Sequence, residues 1–192
     1  MDNKESVIVF THRTIEFLTK LNASTSWFLN PRRAMNCEYL ICTRNSKNPL
    51  AIDDFEHGTA FLIAKIINVT QSLNLPRDAD RYMIEFEEYA EVTIPNVWKS
   101  WRSPVIYKNA EELKIDFDSL RWEPVPTRDE NFIYDYFAKE NKYYESQEAI
   151  SDNFKRKKQR KNNNGLTIGE AKEQLSKFYD IPEENIDIIL RG

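Results

Sequence analysis

The chain has 192 residues, of which 41% are hydrophobic and 30% are charged, a composition typical of a globular protein with one core and a small additional unit. The longest apolar run, residues 60–69, contains Lys65 and is much shorter than the about 18 residues that a membrane-spanning helix needs. The first residues, MDNKE, lack the basic start and apolar stretch of a signal peptide. We therefore expect no membrane contact and a cytoplasmic location.

The net charge of −4 is unevenly distributed along the chain. Residues 1–153 carry 18 basic and 25 acidic side chains, residues 154–164 carry six basic and no acidic ones, and residues 165–192 carry three and six. Binding of a polyanion depends on local rather than net charge. The short basic segment is therefore the clearest electrostatic feature of the sequence.

The cysteines and histidines argue against a disulfide and against a metal site. Cys37 and Cys42 lie five residues apart on one predicted strand, so their side chains point to opposite faces and an intra-strand disulfide is not expected. The two histidines, His12 and His57, are not at metal-ligand spacing from either thiol. We expect no metal, no cofactor and a reducing compartment.

In chain order, the first two thirds of the sequence predict strands with short helices between them. Apolar, β-branched or alternating runs predict strands over residues 7–11, 37–43, 58–69 and 81–94. Apolar spacing on one face predicts a helix over 14–21, and a capping Asn109 followed by two acidic residues predicts helical turns over 109–115. These elements indicate an α+β fold built on a small mixed β-barrel with short helices at its rim.

The last third changes in composition. Aromatic residues at helical spacing predict a helix over 129–153 that packs on the barrel of residues 1–128. Residues 154–165, basic and then rich in asparagine, predict a linker. Residues 166–192 predict a small βαβ unit, with a helix over 169–179 between strands at 166–168 and 186–190. Such a unit is too small to bury a core alone, so we expect it to dock on the barrel, self-associate or bind a protein partner.

The order of the predicted strands and their flanking residues resembles a known superfamily. The segments SWFLNPRRA, CEYLICTRN, HGTAFLIAKIINV and RYMIEFEEYAEVTIPNVW follow one another within about residues 5–125. This order is similar to the PUA-like superfamily of small β-barrels, nearest to its EVE-like and ASCH-like branches. The resemblance implies binding of RNA or of modified DNA bases, in some branches with a flipped base in an aromatic pocket. One ASCH group is hydrolytic and uses a lysine and a threonine, but here Lys20 is followed by Ala23 and Ser24, which argues against that activity.

Three tryptophans are the candidate stacking residues. An indole offers a flat apolar face for a nucleobase, and Trp98 and Trp101 bracket Lys99 and adjoin Arg102, a combination suited to a ligand with both a ring and a phosphate. Trp27 precedes the Asn-Pro segment. The alternative is that these tryptophans fill the core or cover the ends of the barrel.

Four arginines are the candidate phosphate ligands, because the guanidinium fork matches phosphate oxygens bidentately. They flank the predicted strand at 37–43 or adjoin the tryptophan pair: Arg32, Arg33, Arg44 and Arg102. The alternative is that they pair with the many acidic side chains of residues 1–153.

Asn30 and His57 are the candidate contacts to base edges. His57 precedes Gly58, and a glycine at a strand start allows close approach of a backbone. His57 also has the chemistry of a general base, but no nucleophile motif lies near it, so no catalytic residue is predicted. Asp53, Asp54 and Glu56 beside it are expected to be solvated rather than to bind a metal.

The basic run is a candidate phosphate-binding segment that neutralises phosphates without reading sequence. Its cations are Lys155, Arg156, Lys157, Lys158, Arg160 and Lys161. The alternatives are a solvated tether and a segment that docks on the acidic barrel.

Together these features predict a nucleic-acid-binding module that recognises a modified or extruded base, with roles in RNA metabolism or in phage–bacteria conflict and phage defence. The pocket would lie between residues 24–33, 55–58 and 96–102. One alternative is a protein-interaction or dimerisation module acting through residues 166–192. A second is an ASCH-like hydrolase or nuclease that uses His57. The sequence leaves RNA versus DNA, the ligand and the oligomeric state open.

Overall fold

The computed structural model describes residues 5–72, 80–162 and 167–189. The chain forms two compact units, Met1–Tyr136 and Phe137–Gly192. The first unit contains the sheet and its covering segments, and the second contains most of one long helix and the C-terminal tail. The boundary falls inside the long helix, eight residues after the barrel boundary expected from composition.

The described residues of the first unit form one curled, half-barrel sheet. Its strands are β1 (Glu5–Thr11), β2 (Ala23–Trp27), β3 (Tyr39–Arg44), β4 (Ala60–Gln71), β5 (Tyr82–Ile94), β6 (Val105–Asn109) and β7 (Glu123–Pro124). The order is β2-β5-β4-β3-β1-β6, and β7 pairs with β5. The β1–β3 pair is parallel and the other recorded pairs are antiparallel. The α+β class and the curled sheet confirm the coarse prediction.

Five α-helices lie within the described residues. They are α1 (Ile15–Leu21), α2 (Pro31–Met35), α3 (Ala110–Leu113), α4 (Glu130–Asn162) and α5 (Ile168–Tyr179). Two 3₁₀ turns add Phe117–Ser119 and Glu183–Asn185. No helix in the part of the chain that the structure describes is long and apolar enough to cross a membrane.

All four predicted strands are present, with ends shifted by at most two residues, and α1 begins after the Thr14 cap. Three strands and one helix were missed because their sequences lack the expected pattern. β2 reads ASTSW, which has no apolar alternation, and it forms because it pairs with β5. α2 starts at Pro31 after Asn30, whose side-chain oxygen accepts a hydrogen bond from the Arg33 N–H.

Both faces of the sheet are covered. On one face, a buried cluster joins Ile8, Ile41 and Ile63 to Val97 and Trp98, which belong to the segment that follows β5. On the other face, Val7 and Val9 of β1 are also fully excluded from solvent. Because the segment after β5 folds back onto the sheet, the aromatic residues of NVWKSWRSP become part of the cover of one core.

The two cysteines are free and buried. Cys42 lies on β3, whereas Cys37 precedes that strand by two residues. Burial raises the pKa of each thiol to about 12, so both are protonated at neutral pH.

The long helix α4 packs against α1 through its first turns. Phe17 and Tyr136 have ring centroids 4.1 Å apart, and the Lys20 ammonium lies 4.0 Å from the centre of the Phe132 ring. Ile133 is buried as well. This part of α4 presents an aromatic face to the first unit, as the spacing predicted.

The linker predicted over 154–165 is wrong for residues 154–162, because α4 continues to Asn162. Lysine, arginine and glutamine are good helix formers, and no glycine or proline interrupts the run before Gly165. Charge alone therefore did not end the helix. The side chains of the basic run, and residues 163–165, lie outside the described residues.

The predicted βαβ tail is corrected to a helix followed by a 3₁₀ turn and irregular chain. The side chain of Thr167 accepts from the Glu170 N–H, and Glu170 accepts from the Thr167 N–H, which is a capping box that starts α5 at Ile168. Residues 186–189 form no strand within the described chain. Leu166 and Leu190, the outer ends of the two predicted strands, lie outside the described residues.

Candidate functional site

A cleft of about 430 Å³ opens on the first unit, beside the C-terminal end of β5 and along β6. It lies between the turn that follows β5 and the segment that contains the end of β6 and α3. Its lining consists of Ile94, Pro95, Asn96, Val97, Lys99, Trp101, Lys108, Glu112, Leu113 and Lys114. Apolar and aromatic side chains line it together with three lysines and one glutamate.

Three lining or neighbouring residues of the cleft adopt left-handed backbone conformations. The φ angles are 57° at Asn96, 57° at Ser100 and 53° at Lys114. A non-glycine residue in this region costs on the order of 1 kcal/mol, so the surrounding packing determines these turns. The buried neighbours Val97 and Trp98 anchor the first two. The cleft wall is therefore a built feature of the fold.

A row of aromatic rings leads from the 55–58 loop to the cleft. His57 contacts the edge of Phe10 at a centroid distance of 5.0 Å, and Phe10 stacks on Trp98 at 4.5 Å with an interplanar angle of 6°. Trp98 then meets Trp101 in a T-shaped contact at 5.0 Å. Trp98 is 7% exposed and supports the row from within, whereas Trp101 is half-buried and lines the cleft.

Gly58 fixes the position of Trp98 through the main chain. Its N–H donates to the Arg44 carbonyl at 2.9 Å, and its carbonyl accepts from the Trp98 N–H at 3.0 Å. Its φ of 85° is unfavourable for residues with a side chain, and a Cβ added here would lie 3.2 Å from the Trp98 carbonyl oxygen. The glycine was predicted to permit a close backbone approach, and the approaching backbone is that of Trp98.

The charged groups of the cleft are three lysines and one glutamate. Lys108 and Glu112 form an ion pair with an Nζ–Oε2 distance of 2.6 Å, and the hydrogen bond from Lys108 lowers the pKa of the Glu112 carboxyl. Lys99 and Lys114 complete the set. The cleft therefore carries a local excess of positive charge, although residues 1–136 as a whole have 16 basic and 21 acidic side chains.

Arg44, a predicted phosphate ligand, is a fully buried structural residue. Its guanidinium pairs with Asp53, donates to the Arg13 carbonyl at 3.0 Å and lies 4.2 Å from the centre of the Phe61 ring. Burial lowers the pKa of Arg44, and Asp53 opposes that shift. The group ties the 53–58 loop to the end of β1, and its donors point into the protein.

Arg33 and Asn30, a predicted phosphate contact and a predicted base contact, lie at a different place. Arg33 pairs with Glu5 and lies 4.1 Å from the centre of the Tyr107 ring, and the Tyr107 hydroxyl donates to the Asn30 carbonyl at 3.4 Å. Tyr107 precedes Lys108 on β6, so the two side chains point to opposite faces of the strand. The groups around Arg33 are therefore on the far side of β6 from the cleft.

Trp27 is also remote from the cleft. Its indole N–H donates to the Ser24 hydroxyl at 3.1 Å, and the residue is 7% exposed. It pairs with Tyr82 at the start of β5, whereas the cleft begins at Ile94, twelve residues further along the strand, which is roughly 40 Å for a straight strand. Among the described residues, the structure therefore does not bring Trp27 together with the residues of the cleft.

Of the predicted site residues, the structure brings Trp101, Trp98 and His57 together through Phe10, with Arg102 exposed next to Trp101. The residues elsewhere are Trp27, Asn30, Arg32, Arg33 and Arg44; Arg32 is exposed on α2. Sequence reasoning missed the groups contributed from β6 and α3, namely Lys108, Glu112 and Lys114. Their signal in the sequence is the segment YKNAEELK, whose Lys108 and Glu112 have i,i+4 spacing.

His57 has few features of a catalytic base. Burial lowers its pKa, with a smaller effect of Lys47, and Nδ1 lies 3.4 Å from the Ser46 hydroxyl. Within residues 5–72, 80–162 and 167–189, no group of three or more His, Cys, Asp or Glu side chains has a metal-binding arrangement.

The chain matches no protein-family model, no curated protein and no solved structure.

Proposed function

We propose that the protein binds nucleic acid, with one nucleotide in the cleft, its base on Trp101 and its phosphate near Lys99, Lys108 and Lys114. The observation that carries this proposal is the cleft itself, which combines an accessible indole with three lysines in an otherwise acidic unit. Base–aromatic stacking and cationic contacts to phosphate are the two general modes of single-strand binding. A modified or extruded base is the ligand class in keeping with the resemblance to PUA-like barrels.

The size and composition of the cleft support the proposal. A volume of about 430 Å³ lies in the range of small-molecule sites and suits one nucleotide rather than a length of duplex. Apolar side chains such as Ile94, Val97 and Leu113 line it together with Trp101. A base in the cleft would therefore be shielded from water on both of its faces. The lysines at the rim would still be able to contact a solvent-exposed phosphate.

The basic run 155–161 belongs to the same proposal as a second, sequence-independent contact. Its six cations would add affinity that falls steeply with salt, because each neutralised phosphate releases counterions. We place the protein in the cytoplasm, where its two free thiols persist and where RNA metabolism and phage–bacteria conflict take place.

The test is a fluorescence-anisotropy titration with single- and double-stranded RNA and DNA, with and without modified bases, at two salt concentrations. Trp101→Ala removes the stacking face, and Phe28→Ala is its matched control, since Phe28 is an exposed aromatic residue at the opposite end of β5. We expect Trp101→Ala to weaken binding by about tenfold or more and Phe28→Ala to leave it unchanged. Equal behaviour of the two variants would refute the cleft as the binding site.

The lysines supply a second, independent arm. Lys99→Ala and Lys114→Ala each remove one cation from the cleft, and Arg121→Ala removes one exposed cation elsewhere in the same unit. We expect each cleft variant to weaken binding and to reduce the salt dependence, and Arg121→Ala to do neither. A chain lacking residues 154–192 should retain ligand-selective binding with a smaller salt slope.

A second candidate function, protein interaction through the C-terminal tail, is favoured by the exposed apolar side chains of the second unit. On and after α5, Phe178 is 79% exposed and Tyr179 61%, and Ile168 and Ile181 are also exposed. Sedimentation velocity of the full chain and of Phe178→Ser tests self-association. Concentration-dependent assembly that the variant abolishes would support the tail as an interaction surface, whereas identical monomeric profiles would exclude self-association.

A further inference from the structure

The cleft contains a carboxylate at the place where a ligand phosphate would be bound. Glu112 accepts a hydrogen bond from Lys108 at 2.6 Å, and both side chains line the cleft. Any anion that binds Lys108 must compete with this carboxylate, which is tethered one helical turn away and loses little entropy when it pairs. Glu112 therefore acts as an internal competitor for anions.

The charge of the cleft decides which anions succeed in that competition. Lys99, Lys108 and Lys114 with Glu112 give the lining a net charge of two positive units. An internal phosphodiester carries one negative charge, whereas a phosphate monoester carries roughly 1.5 to 2 at pH 7 and has one more anionic oxygen. The monoester matches the charge of the cleft, and the diester neutralises only part of it.

The geometry adds a second restriction. The cleft has the volume of one nucleotide, and one indole lines it, so it accepts one base with its own phosphate. An internal nucleotide must lead the chain in and out of the cleft past the charged rim. A terminal nucleotide, or a free one, needs only one opening or none.

We propose that the cleft selects nucleotides that carry a terminal phosphate monoester, which has the charge needed to displace Glu112 from Lys108. This inference rests on the proposed function and narrows it to a ligand class. Lys99 and Lys114 bind the terminal phosphate. Lys108 gives up its ion pair with Glu112 and binds the phosphate instead. Trp101 stacks on the attached base.

The experiment compares one short fluorescent single strand in four forms: with a 5′-phosphate, a 3′-phosphate, free hydroxyl ends, and a 5′-methylphosphate, which retains the phosphate but has a single charge. Unlabelled nucleoside monophosphate and unphosphorylated nucleoside serve as competitors, so that a strand end and a free nucleotide are distinguished. We expect one phosphorylated end to bind about tenfold more tightly than the hydroxyl and methylphosphate forms.

Glu112→Gln tests the competing carboxylate, and Glu123→Gln is the matched control, a partly exposed glutamate paired with Arg121 outside the cleft lining. Glu112→Gln should strengthen binding of the phosphorylated strand about three- to tenfold, and of the hydroxyl and methylphosphate strands by no more than that, so the preference for the monoester is kept. Glu123→Gln should leave both affinities unchanged.

The outcomes separate this inference from the proposed function. Equal binding of all four strand forms, still weakened by Trp101→Ala, would overturn the terminal-phosphate inference and keep nucleic-acid binding in the cleft. An unchanged affinity for the phosphorylated strand in Glu112→Gln would overturn the role of Glu112. Binding that is insensitive to Trp101→Ala would remove the proposed function and this inference together. Competition by the monophosphate but not by phosphorylated strands would support a free nucleotide as the ligand.

Discussion

Two regions of the first unit combine a cation with aromatic rings, and they differ in what each cation contacts. Around the start of β1, Arg33 pairs with Glu5 and lies over Tyr107. In the cleft on the other side of β6, Lys99 and Lys114 line a cavity together with Trp101. The lining contains three lysines but only one carboxylate, Glu112, which pairs with Lys108. In the first region the cation is paired with a carboxylate, whereas the second has an excess of positive charge that an anionic ligand can neutralise.

The comparison shows why residue type alone does not identify a binding site. Arginine is the better phosphate ligand in general, because its planar fork binds bidentately. The same fork makes arginine effective at pairing with carboxylates and backbone carbonyls inside the protein, as Arg33 and Arg44 do. In this fold Arg33 and Arg44 are used in such structural contacts, whereas Lys99, Lys108 and Lys114 line the cleft.

The largest expected effect comes from Arg44, which was a candidate ligand by sequence and is structural by its contacts. Arg44→Ala leaves Asp53 and the Arg13 carbonyl without their donor and creates a cavity beside Phe61. We expect a loss of about 3–5 kcal/mol in the free energy of unfolding, measured by urea denaturation. Arg102→Ala, a fellow candidate ligand with an exposed side chain, should change it by less than about 0.5 kcal/mol. A small effect of Arg44→Ala would contradict the structural role of the Arg44 contacts.

Secondary structure was predictable where apolar residues recur with the period of a strand or a helix. The four expected strands and α1 have clear apolar patterns, and Thr14 marks the start of α1. β2 and β6 are short and lack such patterns, and they depend on pairing with β5 and β1. The predicted tail strands failed because a local signal, the capping box at Thr167, extended the helix into one of them.

The candidate site was predictable only in part, for a related reason. Trp98 and Trp101 were identified because aromatic and basic residues alternate within one segment. Lys108, Glu112 and Lys114 join them because β6 pairs with β1 at the edge of the sheet, next to the segment that covers it. Adjacency of this kind is a property of the chain's topology and has no short sequence signal. Because of the same topology, Trp27 and Arg33 lie away from residues 96–102, with which they were expected to share a pocket.

A medium effect is expected at Gly58, which connects the buried Arg44 network to the aromatic row of the cleft. Gly58→Ala places a side chain at a φ of 85° and 3.2 Å from the Trp98 carbonyl oxygen. We expect a loss of about 1–3 kcal/mol in the free energy of unfolding, together with weaker ligand binding because Trp98 supports Trp101. Gly169→Ala is the control, since it lies in α5 with its nearest atom at 4.0 Å and should not reduce stability. Full stability of Gly58→Ala would show that the loop adapts without strain.

The smallest expected effect concerns the Glu5–Arg33 ion pair. Arg33 lowers the pKa of Glu5 below its ordinary value of 4.5, chiefly through a side-chain hydrogen bond. Because the folded pKa is the lower one, the pair stabilises the protein above the unfolded pKa and ceases to do so as the pH falls through the folded pKa. Glu5→Gln should therefore lower the free energy of unfolding at pH 7 by at most about 1 kcal/mol, since the pair is partly exposed.

The pH series decides whether that loss belongs to the Glu5–Arg33 pair. The difference between wild type and Glu5→Gln should shrink as the pH falls below about 4.5, and 1 M salt should reduce it at pH 7. Glu123→Gln, which removes a more exposed carboxylate from the same unit, should show a difference below about 0.3 kcal/mol throughout. A difference at Glu5 that is constant with pH would assign the loss to packing. In that case Glu5 would not effectively neutralise Arg33. The region around Arg33 and the lysine-rich cleft would then both have an excess of positive charge, and the electrostatic difference between them would be smaller.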